Sequence, residues 1–156
     1  MNTDAKQLSL ALTAPFPVEA VHFKPLAVKG NRALAAAYLD ARAVMQRLDS
    51  VFGVGGWKDA YQLVAGGSVV CTLSVKVDGE WVQKTDVGSP SEQPDEGDKV
   101  KAAFSDSLKR AAIKLGIGRY LYRLPSQWVD YDPQARRFVR PPQLPAWALP
   151  AAKQSA

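Results

Sequence analysis

The sequence predicts an α+β fold in which a helix, three antiparallel strands and a second, basic helix follow one another. Three observations predict it: a helical run that ends at a glycine cluster, three short β-branched segments separated by turn residues, and a second helical run that ends at glycines. The chain has 156 residues, of which 47% are hydrophobic and 22% are charged. This length and composition are typical of one globular domain.

The chain before the predicted sheet divides into an arm and a helix. Residues 1–20 contain Pro15 and Pro17 and are expected to form an arm or a short helix followed by a turn. From Asn31 to Phe52 apolar residues recur at three- and four-residue spacing, which predicts a helix. The glycines of FGVGGW (52–57) end it. They predict a helix cap and a tight turn rather than a phosphate-binding loop, because no Gly-Lys-Ser/Thr follows.

Three successive strands are predicted in residues 57–65, 68–77 and 80–88. Their segments are β-branched or aromatic, and Gly66-Gly67 and Asp78-Gly79 separate them. Cys71 shares one face of the middle strand with three valines and a leucine, so we predict a buried structural thiol rather than a nucleophile. A three-stranded sheet leaves two edges, which favours association between copies of the chain.

An acidic loop over residues 88–97 precedes a helix predicted from about Asp98 to Leu115. Its apolar positions form a stripe expected to pack on the sheet: Val100, Phe104, Leu108, Ala111 and Leu115. We predict an N-terminal arm (1–20), one folded domain (21–132) and a flexible Pro- and Ala-rich tail (133–156).

Positive charge is concentrated in this second helix and the residues after it. Residues 98–123 carry seven Lys or Arg against two Asp, whereas the whole chain has a net charge of +5. The side chains of Lys109 and Arg110 point about 100° apart on a helix, so they can contact a phosphate backbone from two sides. Lys114 extends the basic surface, and Arg119 continues it beyond the helix among tyrosines, a pattern that suits a single strand. A solvated helix face is the plainer interpretation of the same charges.

Several function classes lack their signature. A single cysteine excludes an internal disulfide and a zinc site built on paired cysteines, and a single histidine excludes His-rich metal sites. The acidic loop lacks calcium-loop spacing, and no pair of carboxylates stands out for acid–base chemistry. We therefore predict a protein that is not an enzyme, with no cofactor, no metal and no small-molecule substrate. The sequence has no apolar run of about 18 residues and no signal peptide is recognised, so we expect a cytoplasmic, nucleoid-associated protein.

Three blocks in order resemble the single-strand annealing proteins of the Rad52 and Rad22 type. They are FGVGGW (52–57), DVG (86–88) and KAAFSDSLKRAAIKLGIGRYLY (101–122), and the resemblance covers roughly residues 20–132. It implies a β-β-β-α core after a helix, rings of protomers, and single-stranded DNA held in a basic groove without ATP.

The resemblance also implies which side chains contact DNA. Lys109 and Arg110 match the family's phosphate-contacting pair, and Lys101 matches a family lysine. Lys24 is the best match for a groove arginine, with Lys29 and Arg32 as rivals.

The sequence departs from the eukaryotic members at two places. Ile113 replaces a further arginine, and the loop before the helix is acidic where theirs carries lysine. End protection without efficient annealing is therefore an open alternative.

We thus expect an oligomeric single-stranded DNA-binding protein of DNA repair that protects 3′ ends, anneals complementary strands, or both. The alternative is a protein-interaction scaffold whose basic helix docks an acidic partner. A small nuclease is disfavoured, because it would need clustered carboxylates.

Overall fold

The computed structural model describes residues 3–151, and the predicted α+β class is confirmed. The helices are α1 (Thr3–Thr13), α2 (Ala41–Phe52) and α3 (Glu96–Ile113). The strands are β1 (Val21–Lys29), β2 (Arg32–Leu39), β3 (Trp57–Leu63), β4 (Val69–Val77), β5 (Glu80–Gly88), β6 (Gln127–Asp132) and β7 (Arg137–Phe138). Among residues 3–151, no helix combines the length and the apolar run that a membrane crossing requires.

The described residues divide into two compact units. The first unit holds residues 3–14 and Asp40–Arg119, and the second holds Pro15–Leu39 and residues 120–151. The first contains the antiparallel sheet β3-β4-β5 with all three helices. The second contains the sheet β1-β2-β6-β7.

The core of the first unit lies between its sheet and α3. Val69, Cys71, Leu73 and Val75 alternate along the central strand β4, and each is at most 1% exposed. Because side chains alternate across a strand, these four residues lie on one face. The predicted burial of Cys71 is therefore confirmed.

Gly88 sets how closely α3 approaches β5. A Cβ atom built on Gly88 would overlap the carbonyl oxygen of Ala103 and the backbone nitrogen of Ser107. Ala103 and Ser107 are themselves 0% exposed. The close approach thus requires small residues on this side of α3. Val100, a member of the predicted apolar stripe, is 39% exposed.

Helix α2 has a defined cap at each end. The Asp40 side chain accepts a hydrogen bond from the backbone N–H of Ala43 at 2.8 Å, which satisfies one of the orphan donors of the first turn. Gly53 ends the helix with φ at +77°, and its N–H donates to the Asp49 carbonyl. The predicted glycine cap is confirmed. Trp57 then opens β3, and its Nε1 donates to the Asp49 carboxylate at 2.7 Å.

The predicted helix over residues 31–52 is wrong in its first part. Residues Arg32–Leu39 form β2, which pairs with β1 on one side and with β6 on the other. The turn at Gly30, where φ is +58°, joins β1 to β2. Alanine-rich RALAAAYL favours a helix in isolation, but pairing on two sides overrides that local preference. The second sheet was consequently missing from the predicted fold.

The terminal segments also carry structure. Helix α1 is the short helix expected in the arm, and the Arg47 guanidinium donates to three carbonyls near its end, those of Ala11, Leu12 and Ala14. In the Pro- and Ala-rich segment, β7 and the turn Ala146–Ala148 are regular, and Ala148 is 0% exposed. The flexible tail remains a prediction, and residues 152–156 lie outside the described residues.

Candidate nucleic-acid interface

Helix α3 buries its small and apolar residues and leaves its basic side chains exposed or half-buried. Asp95 caps the helix, since its carboxylate accepts from the N–H of Asp98 at 3.0 Å. Leu108, Ala111 and Ala112 are buried. Lys101 and Arg110 are exposed and Lys109 is half-buried.

Arg110 and Lys114 converge on one carboxylate, that of Asp86 on β5. The Nε atom of Arg110 lies 3.3 Å from Asp86 Oδ1, and the Nζ atom of Lys114 lies 3.8 Å from Asp86 Oδ2. Lys114 also donates to the carbonyl of Thr85. Asp86 is 17% exposed, whereas Arg110 and Lys114 are about half exposed. The carboxylate therefore positions two cations whose outer parts face solvent.

The ionised state of Asp86 is favoured by its partners. Burial opposes its ionisation, but the Val87 N–H, Arg110 and Lys114 together hold the pKa of Asp86 below its usual value. A carboxylate that accepts hydrogen bonds from cations and from a backbone N–H is stabilised in its charged form. At neutral pH the three side chains thus form a cluster with one net positive charge.

Arg119 has a structural role at the end of α3. Its guanidinium donates to the carbonyl of Ile113 from Nε at 3.0 Å and from Nη2 at 2.8 Å, and to the carbonyl of Lys114 at 3.1 Å. The Ile113 carbonyl also accepts from the Gly116 N–H at 2.9 Å. A cation at the carbonyl end of a helix is stabilising. DNA contact by Arg119 remains a prediction.

The second unit carries the remaining predicted cations on neighbouring strands. Lys24 on β1 is exposed, with Nζ 5.5 Å from the ring centre of Tyr38. Arg32 on β2 pairs with Asp130 at 3.3 Å and donates to the Trp128 carbonyl at 2.6 Å.

The rival residue Lys29 lies directly opposite Arg32 in the strand register. Its Nζ is 5.4 Å from the ring centre of Trp128. The structure therefore brings Lys29 and Arg32 together beside Trp128.

Of the tyrosines among the basic residues, one is in the core. Tyr120 is 4% exposed, and its hydroxyl accepts from the N–H of Phe16 at 3.0 Å. Tyr122 is 69% exposed. Of these two rings, Tyr122 is therefore the one that offers a face to a base.

Sequence reasoning missed the role of Asp86. The motif DVG was noted for its order, yet the register pairs Asp86 with Cys71 on the face of the sheet that packs against α3. The tight turn at Asp78-Gly79 sets this register and puts the Asp86 carboxylate opposite a predicted buried residue. That position was the available signal, because burial of a charge requires a partner.

Cys71 and Tyr61 are register partners on β4 and β3. Burial, followed by the nearby Asp59 charge, raises the pKa of the Cys71 thiol to about 11, so the thiol stays protonated and unreactive at neutral pH. Burial and the hydrogen bond to Asp59 also raise the pKa of Tyr61. Among residues 3–151, no three His, Cys, Asp or Glu side chains come together as metal ligands.

Comparison with known proteins places the chain in a family. Residues 4–137 match the Rad52/22 family double-strand break repair protein. The chain therefore belongs to the Rad52/22 family.

Two curated relatives share the name single-stranded DNA-binding protein DdrA. The protein of Deinococcus deserti is 43% identical over 148 residues, which cover 92% of this chain and 71% of the relative. The protein of Deinococcus radiodurans is 43% identical over 143 residues, which cover 89% of this chain and 66% of the relative. Within the family, the sequence blocks 52–57, 86–88 and 101–122 resemble DdrA, the DNA damage response A protein. The two 43% identical relatives confirm this resemblance.

Proposed function

We propose that this chain is an oligomeric single-stranded DNA-binding protein of DNA repair. It anneals complementary strands, protects 3′ ends, or both, without ATP and without catalysis. The observation that carries the proposal is the basic surface of α3, formed by Lys101, Lys109, Arg110 and Lys114, in which Asp86 contacts Arg110 and Lys114. Two 43% identical relatives named as single-stranded DNA-binding proteins support it.

The geometry at Arg110 suits a phosphate. A guanidinium has five N–H donors, and the contact with Asp86 is made from Nε. The terminal nitrogens carry the other four donors, which match the oxygens of a phosphate in a bidentate contact. Because Asp86 restrains the side chain, less rotamer freedom is lost when the phosphate binds.

Contacts to the phosphate backbone of the DNA leave its bases accessible. A strand held by Lys101, Lys109 and Arg110 through its phosphates presents its base edges for pairing or for shielding. Such a surface needs no cofactor, because the affinity comes from neutralised phosphates and released counterions. We also assign a DNA-binding role, as phosphate contacts, to Lys114, Arg119, Lys24 and Arg32.

Oligomerisation would multiply weak contacts along one strand. Linked sites raise the effective concentration of each further contact, so a ring of protomers holds DNA more tightly than one protomer does. We propose this ring as the working assembly, in the cytoplasm and on the nucleoid.

The test is the double variant Lys109→Ala with Arg110→Ala, measured by anisotropy of a labelled single strand of about 30 nucleotides. A matched control is Arg136→Ala with Arg137→Ala, since both arginines are exposed and adjacent in sequence and the same charge is removed. We expect the first variant to lose binding and to elute at the wild-type mass, while the control binds. Unchanged affinity of the first variant would contradict the assignment. A folded wild-type protein that binds no DNA would favour the scaffold alternative.

A further inference from the structure

The sheet β3-β4-β5 has a second face, which α3 does not cover. It is formed by the even-numbered residues 58–62 and 70–76 and the odd-numbered residues 81–87, as the strand register shows. We call it the outer sheet face. Eight of its eleven side chains are exposed. Because α3 packs on the other face, the outer sheet face lies on the opposite side of the sheet from the basic surface of α3.

An exposed tryptophan at one end of this face has two lysines close to its ring. Trp81 on β5 is 40% exposed. The Nζ atom of Lys58 on β3 lies 4.2 Å from its ring centre, and the Nζ atom of Lys76 on β4 lies 5.7 Å from it. Lys76 is the direct register partner of Trp81. Three adjacent strands thus fix one aromatic ring and two ammonium groups together.

The charge on the outer sheet face has a single sign. The acidic residues of these strands, Asp59, Glu80 and Asp86, all fall on the other face by alternation. The remaining positions of the outer sheet face are threonine, serine, glutamine and small apolar residues. Two lysines therefore share one ring with no carboxylate on their own face.

A ligand that matches this face has negative charges and flat rings. Single-stranded nucleic acid has both, and proteins bind it by combining lysines along the backbone with aromatic rings on which bases stack. The sheet of the RNA-recognition motif binds single-stranded RNA by stacking two or three bases on its exposed aromatic residues. A base stacked on Trp81 would displace the Lys58 ammonium from the ring, and a flanking phosphate would then be its partner. Stacking of a base is worth more than a solvent-exposed cation–π contact, so the exchange is favourable.

We propose that the outer sheet face is a second contact surface for single-stranded DNA, with a base stacked on Trp81 and phosphates bound by Lys58 and Lys76. The proposal rests on the single-stranded DNA binding proposed above. Because the sheet separates the two surfaces, they contact different stretches of DNA. A second copy of the chain is a poorer occupant, because the cores of protein interfaces are depleted in lysine.

The experiment compares Trp81→Leu with Trp81→Phe on two labelled 30-nucleotide strands, one of thymidines and one of abasic sites. We expect Trp81→Leu to weaken binding of the thymidine strand about fivefold or more and to leave the abasic strand unchanged. Trp81→Phe keeps an aromatic ring and should retain most of the affinity. Ultraviolet cross-linking of a 5-iododeoxyuridine strand should attach it to Trp81.

The lysines are tested through salt dependence. Lys58→Gln should reduce the slope of log K against log salt by about 0.7, the value for one phosphate contact on a single strand. Lys6→Gln is the control, because Lys6 is an exposed lysine on α1 outside both surfaces, and its slope should not change.

The outcomes separate this inference from the proposed function. If Trp81→Leu binds both strands as the wild type does, the second surface is refuted while the role of Lys109 and Arg110 stands. If Trp81→Leu changes the particle mass but not the DNA affinity, the face is a protein contact and the inference is overturned. If the wild type binds no single strand, the proposed function itself fails before any Trp81 variant is examined.

Discussion

Gly88 allows a direct test of how α3 is positioned. In Gly88→Ala, the new Cβ would overlap the Ala103 carbonyl oxygen and the Ser107 backbone nitrogen and would lie 2.9 Å from the Ser107 Cα. All three are backbone atoms of α3, so no side chain can rotate to relieve the contact. The helix must move away from β5. Asp86 lies two residues before Gly88, so this movement also lengthens its contacts with Arg110 and Lys114.

The expected cost follows from overpacking. Extra carbon forced into a packed interior costs about 1–3 kcal/mol. For a domain of this size, each kcal/mol corresponds to a change in Tm of about 2–4 °C, so Gly88→Ala should lower Tm by about 2–12 °C. Single-stranded DNA affinity should fall as well, because the basic surface of α3 is displaced.

Thermal unfolding followed by circular dichroism measures this cost, with both proteins at the same concentration. Gly55→Ala is the matched control, because a Cβ on Gly55 meets no atom within 4 Å. We expect the control to stay within about 0.5 kcal/mol of the wild type, as surface substitutions usually do. If the two variants have the same Tm, the close packing of α3 on β5 does not determine the stability of this unit.

Three further predictions concern individual side chains. Asp86→Asn should destabilise the protein by up to about 1 kcal/mol at pH 7, since its partner Arg110 is partly exposed. The pKa of Asp86 is lowered by folding, so its contribution is present above the unfolded value of about 3.9 and is lost as pH falls through the folded value. Urea unfolding should therefore show a smaller difference near pH 3, and a constant difference would argue against the pairing. Arg119→Ala should cost about 1 kcal/mol through the lost helix cap, with partial rescue by Arg119→Lys in the same urea assay, and full stability of the alanine variant would exclude that role. Cys71 should resist iodoacetamide at pH 7.5 in the native state and react in urea, whereas equal rates would contradict its burial.

Most of the first unit could be predicted from the sequence, because its signals are local. The strict alternation around Cys71 gives β4, Gly53 ends α2, and the glycines beyond α3 limit that helix. The second sheet could not be predicted in this way. Arg32–Leu39 has helical composition, and its strand pairing depends on β6, which lies about 90 residues further along the chain.

The candidate site also combines residues that local sequence signals predict with contacts that they do not predict. A helical wheel and a count of charges suffice to place Lys109 and Arg110 outside the buried stripe of α3. The contacts of Asp86 with Lys114 and of Arg119 with the end of α3 depend on strand register and on loop geometry, which periodicity does not report. Trp81 was missed for a related reason, since Lys58 reaches it from two strands away.

The most direct test of the proposed function is the salt dependence of binding to single- and double-stranded DNA of 30 base lengths. We predict tighter binding to the single strand, with affinity falling steeply as salt rises. The slope of log K against log salt should be lower by about 1.4 in Lys109→Ala with Arg110→Ala, since each phosphate contact on a single strand contributes about 0.7. Equal affinity for both forms of DNA, or the same slope in the wild type and the double variant, would contradict a single-stranded DNA surface on α3.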